Sequence, residues 1–239
     1  MPERQGPEAA DSESHTRGRE VHLGAADDPT RADAPTRTPA GAAEDVAGIF
    51  FYFDLGSPYA YLSAERISRL FAAAEVPQPE WKPILLGGLF GRFGRDSWMH
   101  GPGRAEGMRE IERRADAYGL QPIRWPDPCP ANTLYAMRVA TYAKSIGRSV
   151  SFTLAAFRQA FAGGRDLSVT DNVLIAAAAC ELHPNAVLKG IETKGVKDRL
   201  RAATDEAYER GVRGVPSVAV GDEVFWGDDR LEEAAAALA

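Results

Sequence analysis

Few residues of this chain are of types that do chemistry, and their spacing excludes several reactions. Cys129 and Cys180 are its two cysteines, far apart and outside any CxxC pair, which excludes a dithiol redox motif and a disulfide framework. His15, His22, His100 and His183 are scattered and lack the HxxxH or Cys-rich spacing of a zinc site; no metal is expected. Ser57 precedes Pro58, a strong helix start with serine as cap and proline in the first turn. Its hydroxyl is a cap, a donor to a bound group, or both. Asp228 and Asp229 stand at another helix start, where carboxylates cap backbone N–H groups or hold an ammonium group. Arg95 and Arg104 lie in a glycine-rich stretch; they are solvated, or they grip a carboxylate bidentately. Tyr59, Phe90, Phe93, Trp98 and Trp125 either fill a core or line a ligand pocket between subdomains.

These residues need elements to position them, and the elements begin abruptly at residue 48. Residues 1–47 contain no Phe, Tyr or Trp, carry ten acids and five arginines, and include Pro2, Pro7, Pro29, Pro35 and Pro39. Such a segment buries too little apolar surface to offset its ordering entropy, so 1–47 is expected to be a disordered tail. A solvated extension is favoured over a docking tail. It lacks the apolar core of a secretory signal, and its acids argue against a transit peptide; a cytoplasmic location is expected. The remaining residues hold 24 acids and 23 bases, so nearly all of the net charge of −6 belongs to the tail. Mild acidity argues against nucleic acid as a partner, and no apolar run reaches the ~20 residues of a membrane span.

From residue 48 the apolar periodicity predicts strand 48–53, a helix from Ser57 to before Pro77, and strand 80–86, a right-handed βαβ unit. Helical periods follow near 105–119, 131–146, 150–162 and 170–182, with a weak strand signal at 122–125. A helix over 194–210, strand 214–220, a turn, strand 223–226 and an Ala-rich helix close the chain. The expected architecture is α/β: a thioredoxin-like fold at 48–86 and 190–239, with a large all-helical insertion at 87–189.

Four segments now carry a resemblance: Phe53-Asp-Leu-Gly-Ser-Pro-Tyr-Ala-Tyr-Leu62, Trp81-Lys-Pro-Ile-Leu-Leu-Gly-Gly-Leu-Phe90, Gly214-Val-Pro-Ser217 and Phe225-Trp-Gly-Asp-Asp-Arg-Leu231. In this order they resemble the 2-hydroxychromene-2-carboxylate isomerase family. That family belongs to the DsbA-like superfamily, beside kappa-class glutathione transferases, and the resemblance runs from about 48 to the C-terminus. It places Ser57 where thiol-disulfide oxidoreductases carry the first cysteine of CxxC. It implies that Ser57 contacts the sulfur of bound glutathione and that Val215–Pro216 is cis, with the Val215 backbone pairing with the cysteinyl backbone. It implies that Asp229 holds the γ-glutamyl amine and that the backbone N–H of Asp228 holds the adjoining carboxylate. Arg95 and Arg104 stand about where the family has an Asn and a Lys, a departure that leaves room for another low-molecular-weight thiol. Asn132 resembles a family site residue, or it caps the following helix. With Tyr59, Phe90 and Trp98 it would form the substrate pocket.

The implied function is a glutathione-dependent isomerase acting on a small aromatic substrate through thiolate addition, bond rotation and elimination. The alternatives are a kappa-like glutathione transferase or another thiol-dependent enzyme, and a non-catalytic thioredoxin-fold thiol-binding protein; a homodimer is a further implication. The thiolate energetics are feasible. A free thiol with pKa near ~8.5 is only about 3% ionised at pH 7, and lowering it two units takes about 2.7 kcal/mol. One hydrogen bond to a charged group supplies roughly 1.5–3 kcal/mol, and a helix N-terminus adds about 0.3–1 kcal/mol. Because the tail lacks apolar anchors, deleting residues 1–45 is expected to leave the melting temperature and activity nearly unchanged; thermal melts and assays of the truncated chain check this.

Overall fold

The aromatic run after Gly48 becomes strand β1 (Ile49–Phe53) in the computed structural model, which describes residues 48–239. The tail expected over 1–47 lies outside the described residues. A crossover through α1 (Pro58–Ala73) leads to β2 (Glu80–Pro83), parallel to β1. A helical block follows: α2 (Leu86–Phe93), α3 (Arg104–Ala117), α4 (Leu134–Ser145), α5 (Ser149–Phe157), α6 (Thr170–Ala178) and α7 (Pro184–Glu192). The chain closes with α8 (Lys194–Glu209), the antiparallel hairpin of β3 (Ser217–Val220) and β4 (Glu223–Trp226), and α9 (Leu231–Ala236). The sheet order is β2-β1-β3-β4, with β3 antiparallel to β1. This is the expected thioredoxin-like arrangement with its helical insertion. None of the described helices is long and apolar enough to cross a membrane.

Phe51, Tyr52 and Phe53 are all fully buried, as a continuous apolar run is when both faces of a sheet are covered. Phe51 packs edge-on against Trp81, its partner on β2, with ring centroids 5.0 Å apart, and Phe53 lies 6.2 Å from Phe157 of α5. Tyr52 points the other way, toward α8, where Glu206 also receives Lys82 at 2.6 Å. The sheet is thus held between α8 and the helices of the insertion.

Several local expectations change. The second strand ends at Pro83 because the chain turns directly into α2, a helix that three glycines hid from the sequence pattern. Glycine costs a helix about 1 kcal/mol per residue, and α2 forms because other elements hold it. The Leu85 N–H donates to Thr204 Oγ1 on α8 at 3.0 Å, and the Leu86 N–H donates to Asp54 Oδ2 at 2.8 Å. Helix α7 was also hidden; Pro184 starts it, and only Val187 and Ile191 of its apolar residues are buried. The segment 122–125 pairs into no strand, although the Arg124 N–H reaches the Phe161 carbonyl at 2.7 Å. The helix expected over 150–162 is α5 continued by a wider π turn at Arg158–Ala162.

Gly190 of α7 lies beneath the Tyr142 ring of α4, where an added Cβ would come within 2.5 Å. Gly190→Val is expected to cost about 1–3 kcal/mol by overpacking, lowering the melting temperature by several degrees; differential scanning calorimetry checks it.

Candidate active site

Asp54, the first residue after β1, determines where Ser57 sits. Its carboxylate is buried and accepts three donors: the Gly56 N–H at 2.9 Å, the Leu86 N–H at 2.8 Å and the Thr133 hydroxyl at 2.8 Å. One group thereby ties the loop before α1, the start of α2 and the residue before α4. Burial pushes the Asp54 carboxyl above its ordinary value, against the pull of those three hydrogen bonds. The Asp54 carbonyl also takes the Ser57 N–H at 3.0 Å.

Ser57 caps α1 as expected: its Oγ accepts the Ala60 N–H at 3.2 Å. It also donates to the Val215 carbonyl at 3.2 Å. The Val215–Pro216 bond is cis, as the resemblance implied. Ser57, Pro58, Val215 and Pro216 form one wall of a cavity of about 690 Å³. Tyr59, Phe90 and Trp98 line it too, joined by Trp226 from β4. Trp98 is wedged between the Tyr59 ring, 6.1 Å away, and Gly107 of α3, where any Cβ would collide with it. No cysteine lines this cavity. Cys129 and Cys180 are buried, and burial pushes both thiols up.

The Asp228-Asp229 pair lies on the same cavity, at the turn from β4 to α9. Gly227 permits that turn: its φ of +129° is a backbone conformation that strains any residue with a side chain. The two acids then diverge. Asp228 is 1% exposed, and its carboxylate accepts Arg114 Nη1 at 2.7 Å and the Tyr118 hydroxyl at 3.0 Å. Arg66 of α1 reaches the Asp228 carbonyl and pairs with Glu232. Burial raises the Asp228 carboxyl, with Arg114 and Tyr118 opposing. Burial likewise lowers the Arg114 guanidinium, yet Asp228 and Asp229 leave it above its usual value. Asp229 keeps a side chain 60% exposed at the cavity.

Arg95 lines the cavity among the Phe90, Phe93 and Trp226 rings, at 5.3–5.8 Å, and donates to the Arg213 carbonyl. No carboxylate pairs with it among the described residues. Two expected site residues lie elsewhere. Arg104 opens α3 exposed and outside the cavity wall, which that helix reaches at Arg114 instead. Asn132 is exposed and accepts the Leu134 N–H at 3.1 Å in a local turn just before α4, whose cap position is Thr133. Two aromatic candidates also lie outside: Phe93 packs on Tyr208, and Trp125 packs on Phe161 with its indole N–H on Glu112. Sequence reasoning missed Arg114, Asp54 and Thr133. Arg114 carried no usable signal, being one of several arginines on a charged helix. Asp54, directly after a buried strand and before a helix cap, could have been found as a loop-ordering acceptor.

The chain belongs to the DSBA-like thioredoxin domain family, whose model matches residues 48–239. Among curated proteins it is 28% identical to a 2-hydroxychromene-2-carboxylate isomerase of Sphingobium xenophagum, over 77% of this chain and 94% of that one. It is 24% identical to an enzyme of the same name from Pseudomonas putida, over 76% and 89%. Among solved structures it superposes on a 2-hydroxychromene-2-carboxylate isomerase with a TM-score of 0.71 at 23% identity, covering 79% of this chain and 93% of that one. The family resemblance read from the four sequence segments is thus matched by both relatives and fold.

Asp54 leads to a direct test. Asp54→Ala strands the buried Thr133 hydroxyl and the part-buried Gly56 and Leu86 N–H groups, at about 1–3 kcal/mol for each donor that stays buried. It is expected to cost roughly 3 kcal/mol or more in urea denaturation.

Proposed function

We propose that this protein is a thiol-dependent isomerase of an aromatic carboxylate of the hydroxychromene type, with glutathione as its recycled thiol. One observation carries the reading: the Ser57 hydroxyl, the Val215 backbone, the Asp229 carboxylate and the Arg95 guanidinium line a single cavity that no cysteine lines. The relatives named 2-hydroxychromene-2-carboxylate isomerase support the reaction class.

The residues present fit a γ-glutamyl tripeptide. The Val215 N–H donates to no protein acceptor among the described residues, leaving it for an extended peptide backbone. The Asp229 carboxylate suits the ammonium end. The Asp228 carboxylate does not, because Arg114 and Tyr118 occupy it; only its backbone N–H serves. Arg95 suits the glycine carboxylate, and with Arg104 outside the cavity it takes that role alone. Phe90, Trp98 and Tyr59 give a planar substrate an aromatic wall.

What a bound thiol supplies is a nucleophile that adds to a conjugated carbon and leaves again after rotation of the former double bond. Ser57 supplies the donor that favours the anion. Its oxygen stays on the Ala60 N–H, so turning the O–H away from Val215 is enough to aim the proton into the cavity. The N-terminus of α1 adds its own preference for negative charge.

Ser57→Ala is expected to lower turnover about 10- to 100-fold, the value of one hydrogen bond to an anion, while loss of the cap costs only about 1 kcal/mol of stability. Calorimetry with millimolar glutathione and a chromene isomerisation assay check the reading. Undiminished turnover in Ser57→Ala removes the hydroxyl's role. Absence of binding removes glutathione as the thiol, and conjugation of a model electrophile without isomerisation points to a transferase.

A further inference from the structure

The reaction proposed above moves an electron pair through the substrate, so a proton must be given at one stage and recovered at another. Most proton-bearing groups on the cavity are already committed. Asp54 is saturated by three donors, and Asp228 is held by Arg114 and Tyr118. Burial pushes the Tyr59 phenol up, which keeps it protonated. Asp229, 3.7 Å from Arg114, is the group assigned above to the ammonium end.

His100 is different. It ends a 3₁₀ turn, Trp98–His100, that follows α2, and both it and Asp96 line the cavity. The turn is held by Ser97, whose hydroxyl accepts the Met99 N–H at 3.2 Å and whose carbonyl accepts the His100 N–H at 3.0 Å. The Asp96 carboxylate is itself fixed by the Ser97 N–H at 2.6 Å. The same oxygen, Oδ1, lies 2.9 Å from His100 Nδ1. The bond to His100, helped by Ser97, holds the Asp96 carboxyl below its ordinary value. A carboxylate only accepts, so the shared proton belongs to Nδ1 and the free ring nitrogen is Nε2. This is an orienting carboxylate behind an imidazole.

We propose that His100 is the general acid and base of the isomerisation, with Asp96 as its positioning residue; this rests on the thiol-dependent reading. Nε2 first takes the proton that the thiol loses on becoming a thiolate; as sulfur bonds to the conjugated carbon, the π pair moves to the far end of the conjugated system and takes that proton from Nε2. When the carbon–sulfur bond breaks, the pair re-forms the double bond and the same proton returns to Nε2. No proton or electron is consumed, as an isomerisation requires. Histidine is the side chain suited to giving and taking a proton near neutral pH.

The test compares wild type with His100→Ala, an exposed position where the fold should survive. Turnover is expected to fall about 100-fold or more, with glutathione affinity by calorimetry unchanged and part of the rate restored by added imidazole. Asp96→Asn should lose less rate and shift the His100 ¹⁵N resonances as the Nδ1 proton loses its acceptor. Wild-type turnover matched by His100→Ala overturns the role of the dyad alone. So does a loss that imidazole does not rescue and that comes with weakened glutathione binding. A wild-type protein without isomerase turnover overturns the underlying reading, and the dyad with it.

Discussion

The buried carboxylate of Asp54 is the constraint on which the rest of the site depends. It stands at the end of β1, the strand between β2 and β3, so its own position is set by the sheet. From there it collects donors from three segments that are distant in sequence: the Ser57 loop, α2 and the residue preceding α4. Each of those segments contributes to the cavity wall. A carboxylate removed from water is costly unless its lone pairs are filled. Filling them is what brings the glycine-rich α2 into a helix and closes the cavity beside Ser57.

A second buried carboxylate orders another part of the cavity lining. Asp228 gathers Arg114 from α3 and Tyr118 from its C-cap, while its carbonyl takes Arg66 from α1. Such a cluster adds little net stability, since desolvation offsets much of the Coulombic attraction. Its effect is geometric. It locks α3 against the β4–α9 turn and leaves Asp229, its sequence neighbour, turned toward the cavity. The two adjacent acids therefore do unlike work, one internal and one available.

Much of the fold was legible because β1 is a continuous apolar run and most helices carry strong periodicity. Ser57 as a cap before Pro58 was legible from local chemistry alone. What escaped was decided by distant partners. Helix α2 looks like a loop by composition and is held as a helix by Asp54 and Thr204. Arg104 and Arg114 differ by ten positions on the same charged helix, and only the packing of α3 decides which of them meets the cavity. Asn132 resembles a family site residue by sequence, yet its side chain turns back on the Leu134 N–H. His100 had no visible partner until the turn around Ser97 set it against Asp96.

The sequence by itself determined the α/β class, the helix start at Ser57, the absence of a dithiol and the family resemblance. Each of these depends on neighbouring residues or on a motif short enough to read along the chain. The tertiary structure alone decided which charged side chains are free to meet a ligand. Arg95 meets a backbone carbonyl and aromatic rings but no carboxylate, whereas Asp228 is taken by Arg114 and Tyr118, because availability depends on the donors and acceptors that other elements bring within about 3 Å, and no spacing along the chain records that.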